Sequence, residues 1–291
     1  MDLIVRVNDS RLFWDCKGYL SFTNSPFYGH KNLCAVDLYP RDGYTDAESP
    51  AEGIVKIAEK LKIMDDYLII LQTASDVYIK ILHVKPCVDI GCEVSIGDML
   101  GRYHWSPFFN PWTDLHMHVE LRPSGDLFRA RGAYELNIYS ILNRIENSID
   151  NGFEDIFRVV DVNERYYLLG NEKMIKTYTT PFTLKLGNSH YFLDGGIPHY
   201  GHGALICQSK DTYKIPDNFR VDFRRSQYIH FKCNNNRVSL RNSFWKGIST
   251  FINRPFLKLI PLRPYRNDLE IGSEISLKEI SRGIPFLKNL I

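Results

Sequence analysis

Leu115-His116-Met117-His118-Val119-Glu120-Leu121-Arg122 alternates apolar and polar side chains one by one, the period of a strand and not of a helix. A strand places residues i and i+2 on the same face, so His116 and His118 point into one space. An apolar alternating strand gains nothing from two adjacent imidazoles, whereas a zinc site needs neutral nitrogen donors delivered from rigid backbone. Taken alone, the pair reads better as two satisfied structural histidines. The decision rests on what answers it upstream.

Ser25-Pro-Phe-Tyr-Gly-His-Lys-Asn-Leu-Cys-Ala-Val-Asp-Leu-Tyr39 offers His30 in a glycine-bearing turn and, seven residues on, Asp37 inside an apolar strand pattern. A carboxylate in such a strand must find a cation or several donors, because an unpaired buried charge is costly. His30, Asp37 and one histidine of the HxH pair supply two nitrogens and one oxygen. Three protein ligands with a fourth position left open is the arrangement of a catalytic zinc. His83 ends the apolar run Val77-Tyr-Ile-Lys-Ile-Leu82, where an ordinary strand needs no histidine.

The rest of this half reads as all-β. Gly53 to Ala58, Tyr67 to Leu71 and Asp76 to Leu82 are short β-rich runs separated by polar turns, as in a compact sandwich or barrel. Gly53, Gly91, Gly97 and Gly101 are expected at tight turns, where glycine adopts positive φ at low cost. With 291 residues, 44% hydrophobic and 24% charged, the chain exceeds one small zinc domain, and a second unit is expected. The segment Met-Asp-Leu-Ile-Val-Arg-Val-Asn at the start has no basic-then-apolar signal, and no run approaches a membrane span, so a cytoplasmic location is expected, with export by another route left open. The six cysteines lack CxxC spacing and read as reduced packing residues.

After Pro123 the pattern changes. Apolar positions 136, 138, 141, 142, 145 and 149 have helical spacing, which predicts one amphipathic helix from Ala133 to Ile149, within a linking segment 126–152, ended by Asn151-Gly152. Strands resume at Phe157 to Val162, Tyr166 to Leu169 and Phe182 to Leu186, with a hairpin turn near Asn163-Glu164. The domain reading is therefore 1–125, a linking helix within 126–152, and a β-rich accessory domain over 153–291. Two strings repeat across the halves. Pro26-Phe-Tyr-Gly-His30 matches Pro198-His-Tyr-Gly-His202, and Asp89-Ile-Gly-Cys-Glu-Val-Ser-Ile96 parallels Glu270-Ile-Gly-Ser-Glu-Ile-Ser-Leu277. Residues 175 to 285 are on that basis a candidate degenerate second copy without its metal, Ser209 standing where the aspartate would fall; chance identity of two short strings is the competing account. His199 and His202, with His190 or Asp194, form a weaker candidate metal set. Between Arg220 and Arg266 eleven Lys or Arg residues face a single acid, Asp222, a run that reads either as a solvated sheet face or as a surface for an anionic polymer; no recognition motif points to nucleic acid.

The ordered set of Gly29-His30, Val36-Asp37, Pro50-Ala-Glu-Gly-Ile-Val55, Ile81-Leu-His-Val84, Val94-Ser-Ile-Gly-Asp-Met-Leu-Gly101 and Leu115-His-Met-His-Val119 resembles the lysostaphin-type (LytM-like) zinc metallopeptidases over roughly residues 20 to 123. The resemblance implies a mainly β fold, a lysostaphin-like β-sandwich or barrel built on a duplicated hybrid motif. It implies that His30, Asp37 and His118 bind Zn²⁺, that His83 and His116 flank the metal-bound water and the scissile carbonyl, and that cell-wall-type peptides or cross-bridges are cleaved. The seven-residue spacing from His30 to Asp37 exceeds the four common in the family, so the loop Lys31 to Cys34 is expected to fold outward. The aromatic stretch Arg102 to Asp114 is expected either to wall the cleft or to pack on the domain body. The rival class is a non-catalytic metal-binding, scaffold or carrier protein of the hybrid-barrel type, with which the turns around Val88 to Leu100 are also compatible; a carrier would need an exposed lysine in a tight hairpin, and none stands there.

Overall fold

The computed structural model describes residues 2–138, 156–171, 183–206, 220–263 and 269–280, apart from 16, 17, 42, 75, 187, 188, 226, 227, 235, 236, 242 and 277. The described chain is mainly β, with every strand pair antiparallel. It divides into two units, Met1–Phe22 with Phe27–Ile141, and Thr23–Pro26 with Leu142–Ile291.

The first unit contains β1 (Asp2–Val7), β2 (Ser10–Trp14), β3 (Tyr19–Ser21), the single helical turn α1 (Tyr28–Lys31), β4 (Val36–Tyr39), β5 (Asp46–Glu48) and β6 (Gly53–Lys60). It continues through β7 (Tyr67–Gln72), β8 (Val77–Leu82), β9 (Val84–Pro86), β10 (Glu93–Val94), β11 (Met99–Tyr103) and β12 (Met117–Pro123). Seven of these form one sheet in the order β10-β6-β7-β8-β12-β4-β3, while β5-β11-β9 and β1-β2 form two smaller ones. The expected strands over Gly53 to Ala58, Tyr67 to Leu71 and Asp76 to Leu82 correspond to β6, β7 and β8.

The quoted stretch explains why β12 lies inside the sheet, between β8 and β4. Met117, Val119 and Leu121 on one face are fully buried, each contributing about 1.5–3 kcal/mol of burial free energy. The opposite face carries His118, Glu120 and Arg122, also buried, so that face is a row of polar groups that must satisfy one another.

Several expectations change. Gly91 (φ 93°) and Gly97 (φ 89°) occupy the left-handed region as foreseen, but Gly53 lies inside a strand and is glycine because a Cβ there would stand 2.6 Å from the Gln72 carbonyl oxygen. The Lys31 to Cys34 segment does not fold outward as a whole: Leu33 turns in with φ 54°, is buried, and its carbonyl accepts from the Leu136 N–H at 2.8 Å. Most of the helix expected over Ala133 to Ile149 lies outside the described residues; residues 133–138 are not helical, and Asn137 instead forms a β-bridge with Arg6. Among the described cysteines, Cys34, Cys87, Cys92 and Cys233 are free thiols, and Cys87 and Cys92 are exposed instead of packed. No helix among the described residues is long and apolar enough to cross a membrane.

The second unit contains β13 (Ile156–Val162), β14 (Tyr167–Gly170), β15 (Thr183–Leu186), β16 (Ser189–Ile197), β17 (His202–Ile206) and β18 (Arg220–Arg225). It ends with β19 (Tyr228–Lys232), β20 (Val238–Leu240), β21 (Ser243–Thr250), β22 (Phe256–Pro261) and β23 (Glu274–Ser276). Its main path runs β18-β19-β17-β16-β21-β22-β14-β13-β23 over a core that includes Phe157, Tyr167, Leu193, Phe231 and Trp245.

The two repeated strings behave differently. Gly91 N–H donates to Val55 O (2.8 Å) and Val55 N–H to Cys92 O (2.9 Å), while Gly272 N–H donates to Val159 O (2.8 Å) and Val159 N–H to Ser273 O (3.0 Å). Each set joins a left-handed glycine turn to a bulged strand, so β10-β6-β7 and β23-β13-β14 share one local hydrogen-bond pattern. Beyond that pattern the sheets diverge, β7 pairing next with β8 but β14 with β22. The string ending in His30 runs into a helical turn, whereas the one ending in His202 runs into a strand. Ser209 lies outside the described residues.

Candidate metal centre

The strand register assembles the site. Asp37 of β4 stands directly opposite His118 of β12, and His118 stands opposite Leu82 of β8, so that His83, one residue on, arrives on the same edge. His30 is delivered by α1, a helical turn and not the plain turn expected from its glycine. His116 precedes the first residue of β12.

Three donor atoms converge. His30 Nε2 lies 3.0 Å from His118 Nδ1 and 3.1 Å from Asp37 Oδ1, and the latter two are 3.0 Å apart. These sides approach the edge of about 3.3 Å that tetrahedral bonds of 2.0–2.1 Å require. Among the described residues this is the only group of three or more His, Cys, Asp or Glu side chains so arranged.

The outer nitrogens show which inner ones are bare. His30 Nδ1 is 2.9 Å from the Phe22 carbonyl, which can only accept, so the proton sits on Nδ1 and Nε2 keeps its lone pair. His118 Nε2 is 3.0 Å from Glu120 Oε1, so its proton sits on Nε2 and Nδ1 is the inner donor. Two lone pairs and a carboxylate oxygen about one van der Waals contact apart demand a cation. In its absence a proton takes the place: burial disfavours charge on His118, but Asp37 and Glu120 together outweigh it and raise its pKa to about 9. The same set acts on Asp37, where burial opposes ionisation but His30, His116 and the His118 bond hold the carboxyl well below its usual range.

Glu120 is itself braced by Arg122 Nη1 and by Lys80 Nζ at 3.4 Å, and Arg122 pairs with Asp126 at 3.2 Å. A carboxylate behind a ligating histidine fixes its tautomer and raises its basicity. Cys34 stands nearby without joining in, since burial pushes its thiol up to about 11 and away from the thiolate a metal would need.

His83 and His116 flank the triangle. His83 Nδ1–H donates to Asp66 Oδ2 at 2.7 Å, and its backbone is held at φ 69°, a strained conformation for a residue with a Cβ. His116 Nδ1–H donates to the Asp114 carbonyl at 2.9 Å, and its Nε2 is 3.6 Å from Asp37 Oδ2. Burial lowers both pKa values, that of His116 to about 4, so each ring is neutral near pH 7 with an unprotonated Nε2. The rings of His83 and His116 are 5.4 Å apart, and Phe109 stacks on His116 at 4.4 Å. The aromatic stretch Arg102 to Asp114 thus reaches the histidines themselves.

Sequence reasoning missed Glu120, Asp66 and Ser106. Glu120 carried a signal, lying two residues beyond His118 on the same strand face; Asp66, in a polar turn beside Asp65, carried none. Among the described residues no group of three donors forms in the second unit: His202 Nδ1 faces His230 Nε2 at 3.1 Å, and its Nε2–H donates to the Ser25 carbonyl at 2.8 Å.

A family model described as a domain of unknown function (DUF8155), N-terminal domain, matches residues 12–138. No curated protein matches the chain. Among solved structures, the chain is similar to the SpoIIQ–SpoIIIAH pore-forming complex at 19% identity, covering 43% of this chain and 67% of that one with a TM-score of 0.28. It is similar to the catalytic domain of the prophage-encoded M23 protein EnpA from Enterococcus faecalis at 18% identity, over 34% and 72% of the two chains, with a TM-score of 0.25. The antimicrobial peptidase lysostaphin from Staphylococcus simulans is 12% identical over 93% of this chain and 100% of that one, with a TM-score of 0.33. Likenesses of this size carry no argument, and the case for the site rests on its own donors.

Proposed function

We propose that the first unit is a zinc-dependent endopeptidase acting on peptides of cell-wall type, with His30, Asp37 and His118 as ligands. The observation that supports this reading is the triangle of two bare ring nitrogens and one carboxylate oxygen, each outer N–H already committed elsewhere. Zinc held there would supply Lewis acidity and a water whose pKa is brought near neutrality. The protein's part is proton movement. Nε2 of His83 and of His116 are the two free bases beside the triangle; such a nitrogen takes the proton lost as water adds to the carbonyl and returns it to the amide nitrogen as the peptide bond breaks. Once protonated, Nε2–H is also a donor for charge on the carbonyl oxygen. Asp37 Oδ2 lies on the His116 side and favours charge on that ring.

The second reading, a metal-binding scaffold without turnover, draws on burial, since the five side chains come from residues only 0–8% exposed. Elemental analysis of purified protein beside His118→Ala comes first: about one zinc per chain, lost in the variant, supports both readings, and no zinc after supplementation overturns both. Peptide cleavage by the zinc-loaded protein, lost in His83→Ala and His116→Ala with zinc retained, then separates enzyme from scaffold.

A further inference from the structure

Asp66 immediately precedes β7, and its side chain is fully buried. Both of its oxygens are in use: Oδ1 accepts from Tyr67 N–H at 2.8 Å, and Oδ2 accepts from His83 Nδ1–H at 2.7 Å and from Ser106 Oγ–H at 2.8 Å. Ser106 Oγ in turn accepts from Phe108 N–H at 3.1 Å. Phe109, the next residue, is the ring stacked on His116, and its edge meets His83 at 4.8 Å. One carboxylate therefore touches His83 directly and, two bonds further on, anchors the aromatic segment packed on His116.

We propose that Asp66 is the positioning residue of the site, setting the His83 tautomer and clamping through Ser106 the loop that orients His116. The catalytic meaning of this rests on the peptidase reading above; the tautomer assignment does not. An ionised carboxylate can only accept, so the histidine nitrogen facing it must carry the proton, and Nε2 is left unprotonated. Burial opposes charge on Asp66, but the His83, Ser106 and Tyr67 donors outweigh it and hold the carboxyl below its usual range, so near neutral pH it is ionised and can only accept. The strained His83 backbone shows why an anchor is needed, because a left-handed conformation persists only where surrounding bonds impose it.

Asp66→Asn makes the distinction sharp. Tyr67 N–H still needs an oxygen, so the amide NH₂ turns toward His83, where a donor now meets Nδ1. The ring must answer by moving its proton to Nε2. Two-bond ¹H–¹⁵N spectra of the full chain, labelled at histidine and assigned with His83→Gln, read this directly. The expected result is an Nδ1-protonated His83 in the wild type and an Nε2-protonated one in Asp66→Asn, with zinc content equal in both. An Nε2-protonated His83 in the wild type, or an unchanged pattern in Asp66→Asn, overturns the proposal. Should Asp66→Asn not fold, the wild-type spectrum still decides the tautomer, and Ser106→Ala, which keeps the His83 bond, is expected to leave the His83 signals in place while shifting those of His116; unmoved His116 signals would overturn the clamp. On a cleaved peptide, Asp66→Asn should lower kcat by about 100-fold or more at near-constant KM, the scale of a lost acid–base group. Absence of zinc or of cleavage would remove the peptidase reading and leave the tautomer result standing, so the two can fail separately.

Discussion

Among the described residues each unit holds a buried histidine pair within hydrogen-bonding distance, and the two pairs have almost the same nitrogen separation: 3.0 Å for His30 with His118 and 3.1 Å for His202 with His230. What differs is where the carboxylate stands. Asp37 Oδ1 sits on the shared side, within 3.1 Å of both inner nitrogens, so three electron-rich atoms face one point. Asp222 Oδ2 sits on the far side of His230, 3.3 Å from Nδ1, while Asp222 Oδ1 accepts from Lys232 Nζ at 2.5 Å. With His202 Nε2–H on the Ser25 carbonyl, His230 Nε2–H can fill His202 Nδ1, so two neutral rings close the inner contact with their own two protons, and only the outer His230 Nδ1 is left without a hydrogen bond. The first arrangement needs a cation at neutral pH and the second does not. A histidine pair is thus neutral evidence for a metal until the third donor is located.

The largest effect that could break this contrast is on metal content. Asp37→Asn should abolish zinc retention, whereas His202→Gln, given a folded protein, should keep about one zinc per chain; zinc lost only in the second would reverse the assignment. Next comes the second carboxylate: Glu120→Gln should weaken zinc by roughly 10–100-fold in competition with a chelator, since its one acceptor oxygen is claimed by Arg122 and Lys80 and its NH₂ is left facing His118 Nε2. Equal affinity in the variant would show that the bracing is idle.

Proton release sharpens the comparison further. With the His118 pKa at about 9, the metal-free site is protonated at pH 7, so zinc binding should expel about one proton, measurable by calorimetry in buffers of different ionisation enthalpy. Release near zero would mean that His118 is neutral before the metal arrives.

The smallest effects are two opposite pH slopes of stability in metal-free protein. His118 has a raised pKa in the fold, so its contribution is complete below the ordinary value of 6.5 and fades as pH rises through about 9. His230 is lowered to about 4, burial outweighing Asp222, so the unfolded chain binds the extra proton first and stability falls as pH drops from 6.5 toward 4. Melting temperatures across pH 4–10 should show both flanks, with His230→Gln flattening the acid one and His118→Gln the alkaline one. A common slope at both residues would erase the contrast.

How much of this was legible depends on whether a residue broke a local pattern. His83 and Asp37 interrupt apolar runs, and His116 and His118 share one strand, so a single sequence displays them. His202 was visible through its repeated string, but its partner His230, 28 residues on, was not, because pairing of β17 with β19 brings them together and no local pattern encodes that. The repeated strings fold alike in one case and differently in the other: Gly91 and Gly272 both take the left-handed conformation that makes the same turn, while Tyr-Gly-His enters a helical turn at His30 and a strand at His202.

By itself the sequence determined the strand period, the mainly β class and the five polar side chains, in or beside apolar runs, that cannot lie idle there, because alternation and the cost of burying charge are local properties of the chain. Only the tertiary structure decided which nitrogen of each ring is bare. That choice belongs to the acceptor on the ring's other side, the Phe22 carbonyl for His30, Glu120 for His118 and Asp66 for His83, and folding alone sets where each acceptor lies and which way it faces.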